Sequence, residues 1–182
     1  MIYSGIYKVT SPFGQRILNG QPDDHKGIDV VGITNKTITA VASGVVGAST
    51  IITDRSNRTW EWGNYVRIDG DDGLSYYYCH MDRRLVVPGQ RVKAGDHIGI
   101  EGWTGKCSPE GPMGRHCHLE VRRNGVSINP APVLGVPNAV GTYGRDYRAE
   151  AQRRFGLSAG TMKYLDRYTY SADLYRKLVE AE

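Results

Sequence analysis

No apolar run in this 182-residue chain is long enough to cross a bilayer, which excludes a spanning helix. The chain opens Met1-Ile2-Tyr3-Ser4-Gly5, with no basic stretch leading into an apolar one, so no secretory signal is expected there. Cysteine is scarce. Cys79, Cys107 and Cys117 are three, odd in number and too few for a disulfide scaffold. No block of like charges accompanies the mild formal charge of +4, so nucleic acid is not an expected partner, although an anionic surface is compatible. Internal repeats and low-complexity segments are missing as well.

What is abundant is glycine (23 residues) and tyrosine (12 residues), a profile of many short strands and tight turns rather than a helical bundle. Ser11-Pro12-Phe13-Gly14-Gln15-Arg16 reads as a turn into a strand, 21–25 as a polar loop, and 27–33 as a strand. Residues 38–46 read as one strand ending in a tight bend, and 50–62 as a polar insertion carrying Trp60 and Trp62. Asn64 to Asp69 alternates, Gly70-Asp71-Asp72-Gly73 is a hairpin signal, and Leu74 to His80 is the return strand. Short strands follow at 92–96 and 98–100. A long Gly/Pro-rich loop over 102–115 carries Trp103 and leads into a strand at 116–122.

The fold class expected is therefore mainly β, an antiparallel sheet over residues 1–130. The segment 131–144 is rich in Pro and Gly and reads as a linker. Residues 145–182 read as a small α-helical extension. In that extension Tyr147, Ala151 and Phe155 form a stripe that Gly156 can end. Ser158 can cap a helix with Met162 and Leu165, and Ser171 one with Leu174 and Leu178.

Chemistry concentrates in the histidines, of which there are five. His116-Cys117-His118 places two imidazoles at i, i+2, on one face of a strand. His25 and Asp29, at i, i+4, share a face by the same parity if their segment is extended. Three imidazoles and one carboxylate match the usual ligands of a zinc hydrolase, which takes three and leaves a fourth position to water. His80 closes a run of strand formers, Tyr76-Tyr77-Tyr78-Cys79, and His97 reads as an ordinary exposed strand histidine. Cys79 and Cys117 each adjoin one of these histidines, so alternation turns both to the opposite face. Free thiols are expected of them, with a cross-strand disulfide as the alternative.

Read together, the motifs resemble the M23 peptidases, the lysostaphin-like or LytM-like zinc endopeptidases of bacterial cell walls. The resemblance runs from Ser11 to Pro130: Ser-Pro-Phe-Gly-Gln-Arg at 11–16, His-Lys-Gly-Ile-Asp at 25–29, Ala-Ser-Gly-Val-Val at 42–46 and Gly-Asn-Tyr-Val at 63–66. It continues with Tyr-Cys-His-Met at 78–81, Val-Pro-Gly-Gln-Arg-Val at 87–92, Gly-Asp-His-Ile-Gly at 95–99, Gly-Trp-Thr-Gly at 102–105 and His-Cys-His-Leu-Glu-Val at 116–121. It implies zinc as cofactor, held by His25, Asp29 and His118. It also implies His80 and His116 as catalytic groups beside the metal. His116 is the first choice for general base and His80 for oxyanion stabilisation or proton transfer to the leaving amine, with the two roles interchangeable.

The implied substrate is a stem or cross-bridge peptide of peptidoglycan, held between the loops 50–62 and 102–115, with Trp60, Trp62 and Trp103 as lining candidates. Met81 stands where the family usually has leucine, and the loop from Lys106 to Arg115 is longer than usual there. A monomer acting at the bacterial wall, without membrane insertion, is the expected setting; with no signal in view, a phage endolysin, a virion tail lysin or a truncated secreted enzyme would each reach the wall. A non-catalytic relative that binds wall or activates other hydrolases is the rival reading, and a zinc peptidase acting on proteins is a third.

Overall fold

Residues 117–123 show how alternation builds the sheet that carries the histidines. Cys117, Leu119 and Val121 are fully buried on one face, while His118, Glu120 and Arg122 take the other. The same division holds in the flanking strands. Ile28 and Val30 point inward beside Asp29, and Tyr76 and Tyr78 point inward beside Tyr77. A computed structural model describes every residue except Arg58, Thr169, Tyr170 and Glu182.

The strands are β1 (Tyr7–Ser11), β2 (Gly14–Leu18), β3 (Gln21–His25), β4 (Ile28–Gly32), β5 (Thr37–Thr39), β6 (Gly44–Ile51), β7 (Asn64–Gly70), β8 (Ser75–Cys79), β9 (Arg83–Arg84), β10 (Arg91–Val92), β11 (His97–Ile100), β12 (Cys117–Arg123), β13 (Val126–Ile128) and β14 (Gly141–Tyr143). The large antiparallel sheet runs β10-β6-β7-β8-β12-β4-β1-β14, with β13 also on β12. A three-stranded sheet, β5-β11-β9, contributes Ile38 and Ile98 to the same core as Val9, Ile28, Val66 and Leu119. The mainly β antiparallel fold expected from composition and patterning is the fold found.

Several local expectations are corrected. Residues 21–25 are not loop. They form β3, paired with β2 in a hairpin whose two turn residues, Asn19 and Gly20, both take positive φ (53° and 78°). Asn-Gly is the dipeptide that tolerates this geometry, and it turns the chain tightly enough to oppose Arg16 and Asp23. Residues 38–46 split into β5 and β6, which belong to different sheets. β6 runs on to Ile51, and the tryptophans of the 50–62 segment lie in a 3-10 turn, Trp60–Trp62.

The Pro/Gly-rich segment 131–144 carries a short helix, α1 (Ala131–Leu134), whose ends pack into the main core, and β14, which pairs with β1. Asn138 donates to the Phe13 carbonyl (3.0 Å) and accepts from the Phe13 N–H (2.9 Å), holding the entry to β2.

Three helices follow, α2 (Tyr147–Phe155), α3 (Ala159–Leu165) and α4 (Ser171–Glu180), around a separate cluster of Tyr147, Ala151, Met162, Tyr175 and Val179. Gly156 ends α2 in the left-handed conformation, and Ser158 caps α3 by accepting from Thr161 N (3.1 Å), as the pattern predicts. Phe155 is nonetheless exposed. α4 buries Tyr175 and Val179 in place of the expected Leu174, and begins at Ser171. Among the described residues no helix is long and apolar enough to cross a membrane.

One buried carboxylate ties the N-terminus to both sheets. Glu101, fully buried, accepts from the Tyr3 hydroxyl (2.6 Å), the Gly32 N–H (2.7 Å) and Lys36 Nζ (2.9 Å). Replacing it with alanine strands two buried donors. Glu101→Ala is expected to cost about 3 kcal/mol of unfolding free energy. Urea titration followed by circular dichroism checks this, and a loss under about 1 kcal/mol would show that Glu101 is not a keystone of the fold.

Candidate metal centre

Asp29 on β4 and His118 on β12 are direct cross-strand partners, so both project from the outer face of the large sheet. His118 Nδ1 lies 2.9 Å from Asp29 Oδ1. His25 comes from elsewhere. It is the last residue of β3, and the chain turns through Lys26-Gly27 before β4 begins. His25 and Asp29 therefore meet across a hairpin-to-sheet junction, not by parity along one extended segment. His25 Nε2 reaches to 3.0 Å from His118 Nδ1 and 3.2 Å from Asp29 Oδ1. Gly27 makes the approach sterically feasible. A Cβ there would stand 2.5 Å from the Leu119 carbonyl oxygen and 2.7 Å from His118 Cε1.

The outer atoms of each group decide what the inner ones can do. His25 Nδ1 lies 2.7 Å from the Pro12 carbonyl, which only accepts, so Nδ1 carries the proton and Nε2 turns a lone pair inward. His118 Nε2 donates to Glu120 Oε1 (3.3 Å), leaving its Nδ1 lone pair inward. Arg16 Nη1 engages Asp29 Oδ2 (3.3 Å) and also binds Ser11 Oγ (2.7 Å), while its Nε binds Asp23 (2.6 Å), so Oδ1 is the oxygen left facing the histidines. Three electron-rich atoms thus stand 2.9–3.2 Å apart. A tetrahedral ion with bonds of about 2.0–2.1 Å spaces its ligands about 3.3 Å apart. The triangle fits such an ion after a slight expansion.

Charge supports the same reading. Burial pulls His118 down, but the Asp29 and Glu120 carboxylates more than offset it and hold the ring up at about 9 without a cation. Burial pushes Asp29 up, and the His118 and His25 imidazoles that meet it override this, leaving the carboxyl well below its ordinary range. The site requires a positive charge at its centre, whether a proton or a metal ion.

His80 and His116 complete the group. His116 precedes β12, with its N–H on the Gly102 carbonyl (3.0 Å). Its ring Nδ1 donates to Gly114 O (2.6 Å), and Nε2 faces Asp29 Oδ1 at 3.6 Å. His80 follows β8 at a positive φ of 62° and donates Nδ1–H to the Thr104 carbonyl (2.8 Å). Its ring centroid is 4.6 Å from that of His116 and 6.0 Å from that of His118. Burial, then the neighbouring His116 and His118, lower its pKa to about 3, so it is neutral at physiological pH. The five residues singled out from sequence are all gathered here. His97 is not among them and sits in β11 opposite Thr39.

Sequence reasoning missed the supporting groups. Glu120 is buried, and its Oε2 accepts from Arg122 Nε (2.8 Å) and Nη2 (2.6 Å). The Arg122 guanidinium lies 4.7 Å from the Tyr77 ring and 5.3 Å from Trp62. The period-two series His116, His118, Glu120, Arg122 on one strand face was the available signal. The expected faces of the cysteines are corrected in one case. Cys117 points into the core as alternation predicts, but Cys79 is the cross-strand partner of His118 and shares its face. The reason is the left-handed backbone at His80, which breaks the alternation just after Cys79. All three thiols are free and buried, and burial pushes Cys107 up to about 12.

The loops 50–62 and 102–115 do not face each other across a groove. Asn64 N bonds Thr104 Oγ1 (2.9 Å), Lys106 N bonds Glu61 O (2.9 Å), and Lys106 Nζ bonds Glu61 Oε1 (2.7 Å), so the two loops form one wall on the His80 side. The β2–β3 hairpin stands on the His25 side. Trp62 packs on Tyr65 and Tyr77 (5.2 Å each), and Trp103 stacks under Arg115 (4.5 Å).

Comparison with known proteins places the chain among relatives of one family. The sequence pattern described as Peptidase family M23 matches residues 23–130. The peptidoglycan DD-endopeptidase ShyC of Vibrio cholerae is 34% identical over 168 residues, 89% of this chain and 34% of ShyC. The murein hydrolase activator NlpD of Escherichia coli is 35% identical over 110 residues, 60% of this chain and 26% of NlpD. The chain thus spans about a third of ShyC and about a quarter of NlpD. Among solved structures, the catalytic domain of the prophage-encoded M23 protein EnpA from Enterococcus faecalis superposes with a TM-score of 0.54 at 32% identity, over 68% of this chain and 88% of that domain.

Gly27→Ala, which drives a methyl group into His118, is expected to weaken divalent-ion binding roughly tenfold or more with the circular dichroism spectrum unchanged; calorimetric titration of the metal-stripped chain measures it, and unaltered affinity would remove Gly27 from the site. Because a metal must displace the proton held on His118 up to about 9, ion affinity should rise with pH between about 6 and 8, with proton release detectable from its dependence on buffer ionisation enthalpy.

Proposed function

The chain belongs to peptidase family M23, and we propose that it is a zinc-dependent endopeptidase that hydrolyses peptide bonds in the stem or cross-bridge peptides of peptidoglycan. The observation that carries this reading is the inward convergence of His25 Nε2, Asp29 Oδ1 and His118 Nδ1, each with its outer atom already bonded. These three residues would hold the zinc ion. When bound there, zinc supplies Lewis acidity to a water molecule and to a carbonyl oxygen.

The chain's own groups manage the protons. His116, with Nδ1–H fixed on Gly114, presents an unprotonated Nε2 on the Asp29 side of the site and is the general base that takes the proton from the attacking water. His80 likewise presents an unprotonated Nε2, because Thr104 holds its Nδ1–H. A neutral ring in that tautomer cannot donate to an oxyanion. With its pKa held at about 3, His80 has no proton of its own to give; it relays to the departing amine the proton that His116 has taken from water, the two ring centroids being 4.6 Å apart. The Arg122–Glu120 pair keeps His118 in the tautomer that faces inward, and Arg16 keeps Asp29 to one free oxygen.

Peptidoglycan as substrate rests on similarity to ShyC, whose name gives that activity. Action as a phage lysin at the wall is supported by the likeness to the prophage-encoded EnpA domain. The similarity to NlpD favours a second reading, a chain that activates other wall hydrolases without cutting. The complete donor set argues for the enzyme.

Asp29→Ala is expected to abolish both zinc binding and release of peptide fragments from purified peptidoglycan. His116→Ala should retain zinc while slowing release by roughly 10²-fold or more. Metal analysis combined with mass spectrometry of released fragments separates the readings. A zinc-loaded chain that frees nothing from any wall, yet accelerates a partner hydrolase, would replace the peptidase with the activator.

A further inference from the structure

We propose that His80, His116 and Cys107 form a second binding site, for a divalent ion of the zinc class bound partly through sulfur, and that filling it shuts the enzyme off. The inhibitory effect rests on the peptidase reading above; the binding does not.

The donors are already assembled. One ring nitrogen of His80, one of His116 and Cys107 Sγ all lie within 4.8 Å of one another, and none of the three belongs to the His25–Asp29–His118 triangle. Cys107 is buried in the 102–115 loop, 4% exposed. Its Sγ and His80 Nδ1 gather on one acceptor, the Thr104 carbonyl, at 3.8 Å and 2.8 Å. The His116 ring is held by Gly114, against which Cys107 also packs, since a Cβ on Gly114 would meet Cys107 Cβ at 3.2 Å. Two imidazoles and a thiolate are the soft, tetrahedral set that selects zinc, cobalt or cadmium over magnesium or calcium. Tetrahedral nitrogen and sulfur ligands of such an ion sit about 3.5 Å apart, so the three donors close to that spacing when the ion binds.

Binding involves no redox change. The S–H bond of Cys107 breaks, a sulfur–metal bond forms, and the proton passes to buffer. Occupation takes the lone pairs of the two histidines assigned to proton transfer and places a second cation beside the first. The catalytic ion should therefore load first, and excess ion should inhibit.

Cobalt titration of the full chain, stripped of metal, tests this directly. The wild type is expected to take up two equivalents. The first should give no near-ultraviolet sulfur-to-cobalt charge-transfer band, because its donors are nitrogen and oxygen, and the second should bring that band in. Cys107→Ala should take up one equivalent without the band, and Asp29→Ala should keep the band while losing the other site. Cys107→Ser serves the same purpose if alanine lowers stability. In wall-hydrolysis assays, excess zinc should slow the wild type roughly tenfold or more and leave Cys107→Ala unaffected. Uptake of a single equivalent by the wild type, a second equivalent with no sulfur band, a band that survives Cys107→Ala, or equal inhibition of that variant would overturn the proposal. The cobalt titration reads the site whether or not walls are cut, so its failure is distinct from failure of the peptidase reading.

Discussion

Three electron-rich atoms held within 3.2 Å of one another repel unless a positive charge lies between them. Much of the surrounding structure holds them there. Asp29 and His118 are locked by strand register, a constraint shared by every ladder hydrogen bond between β4 and β12. His25 is carried by a hairpin whose own pairing and Arg16–Asp23 ion pair fix its reach. A site assembled this way cannot relax by moving one side chain, because each donor belongs to an element with other obligations. That is the physical meaning of preorganisation here: the folded sheet bears the repulsion, and a cation relieves it.

The outer shell extends this logic. Backbone carbonyls of Pro12, Thr104 and Gly114 each take an Nδ1 proton, and Glu120 takes the Nε2 proton of His118. Four rings with two tautomers each could otherwise present many faces to the centre. The carbonyls come from loops rather than strands, so the loops select the protonation pattern while the sheet sets the positions. The stack of Arg122 on Tyr77 and Trp62 links this selection to the packing of the outer sheet face.

Much of this was legible in the residues themselves. His116 and His118 at i, i+2 announced a shared face, and the ordered motifs from Ser11 to Pro130 indicated both the fold and the group of five. The paths by which they meet were less visible. Parity along 25–29 suggested one extended segment, whereas the chain changes sheets at Gly27. The Asn19-Gly20 turn that creates the hairpin is hard to read because Gln21–His25, the strand that follows it, is too polar to look like one. Cys79 was misplaced because no pattern signals the left-handed backbone at His80, which depends on tertiary contacts with Trp62 and Thr104. Glu120 and Arg122 were within reach of the same alternation that revealed the histidines. Their role shows only once His118 needs a partner for its outer nitrogen.

Strand β14 gives the molecule an architectural boundary that differs from its recognisable one. The stretch that carries the family pattern stops at residue 130, yet the sheet goes on to Tyr143, and Asn138 grips the backbone at Phe13 just ahead of the hairpin that delivers His25. A cut at 130 would leave β1 with a bare edge and free the hairpin's entry, whereas a junction placed after Gly144 would leave every ladder of the sheet intact. For anyone grafting this fold onto another binding module, the usable unit is therefore longer than its signature.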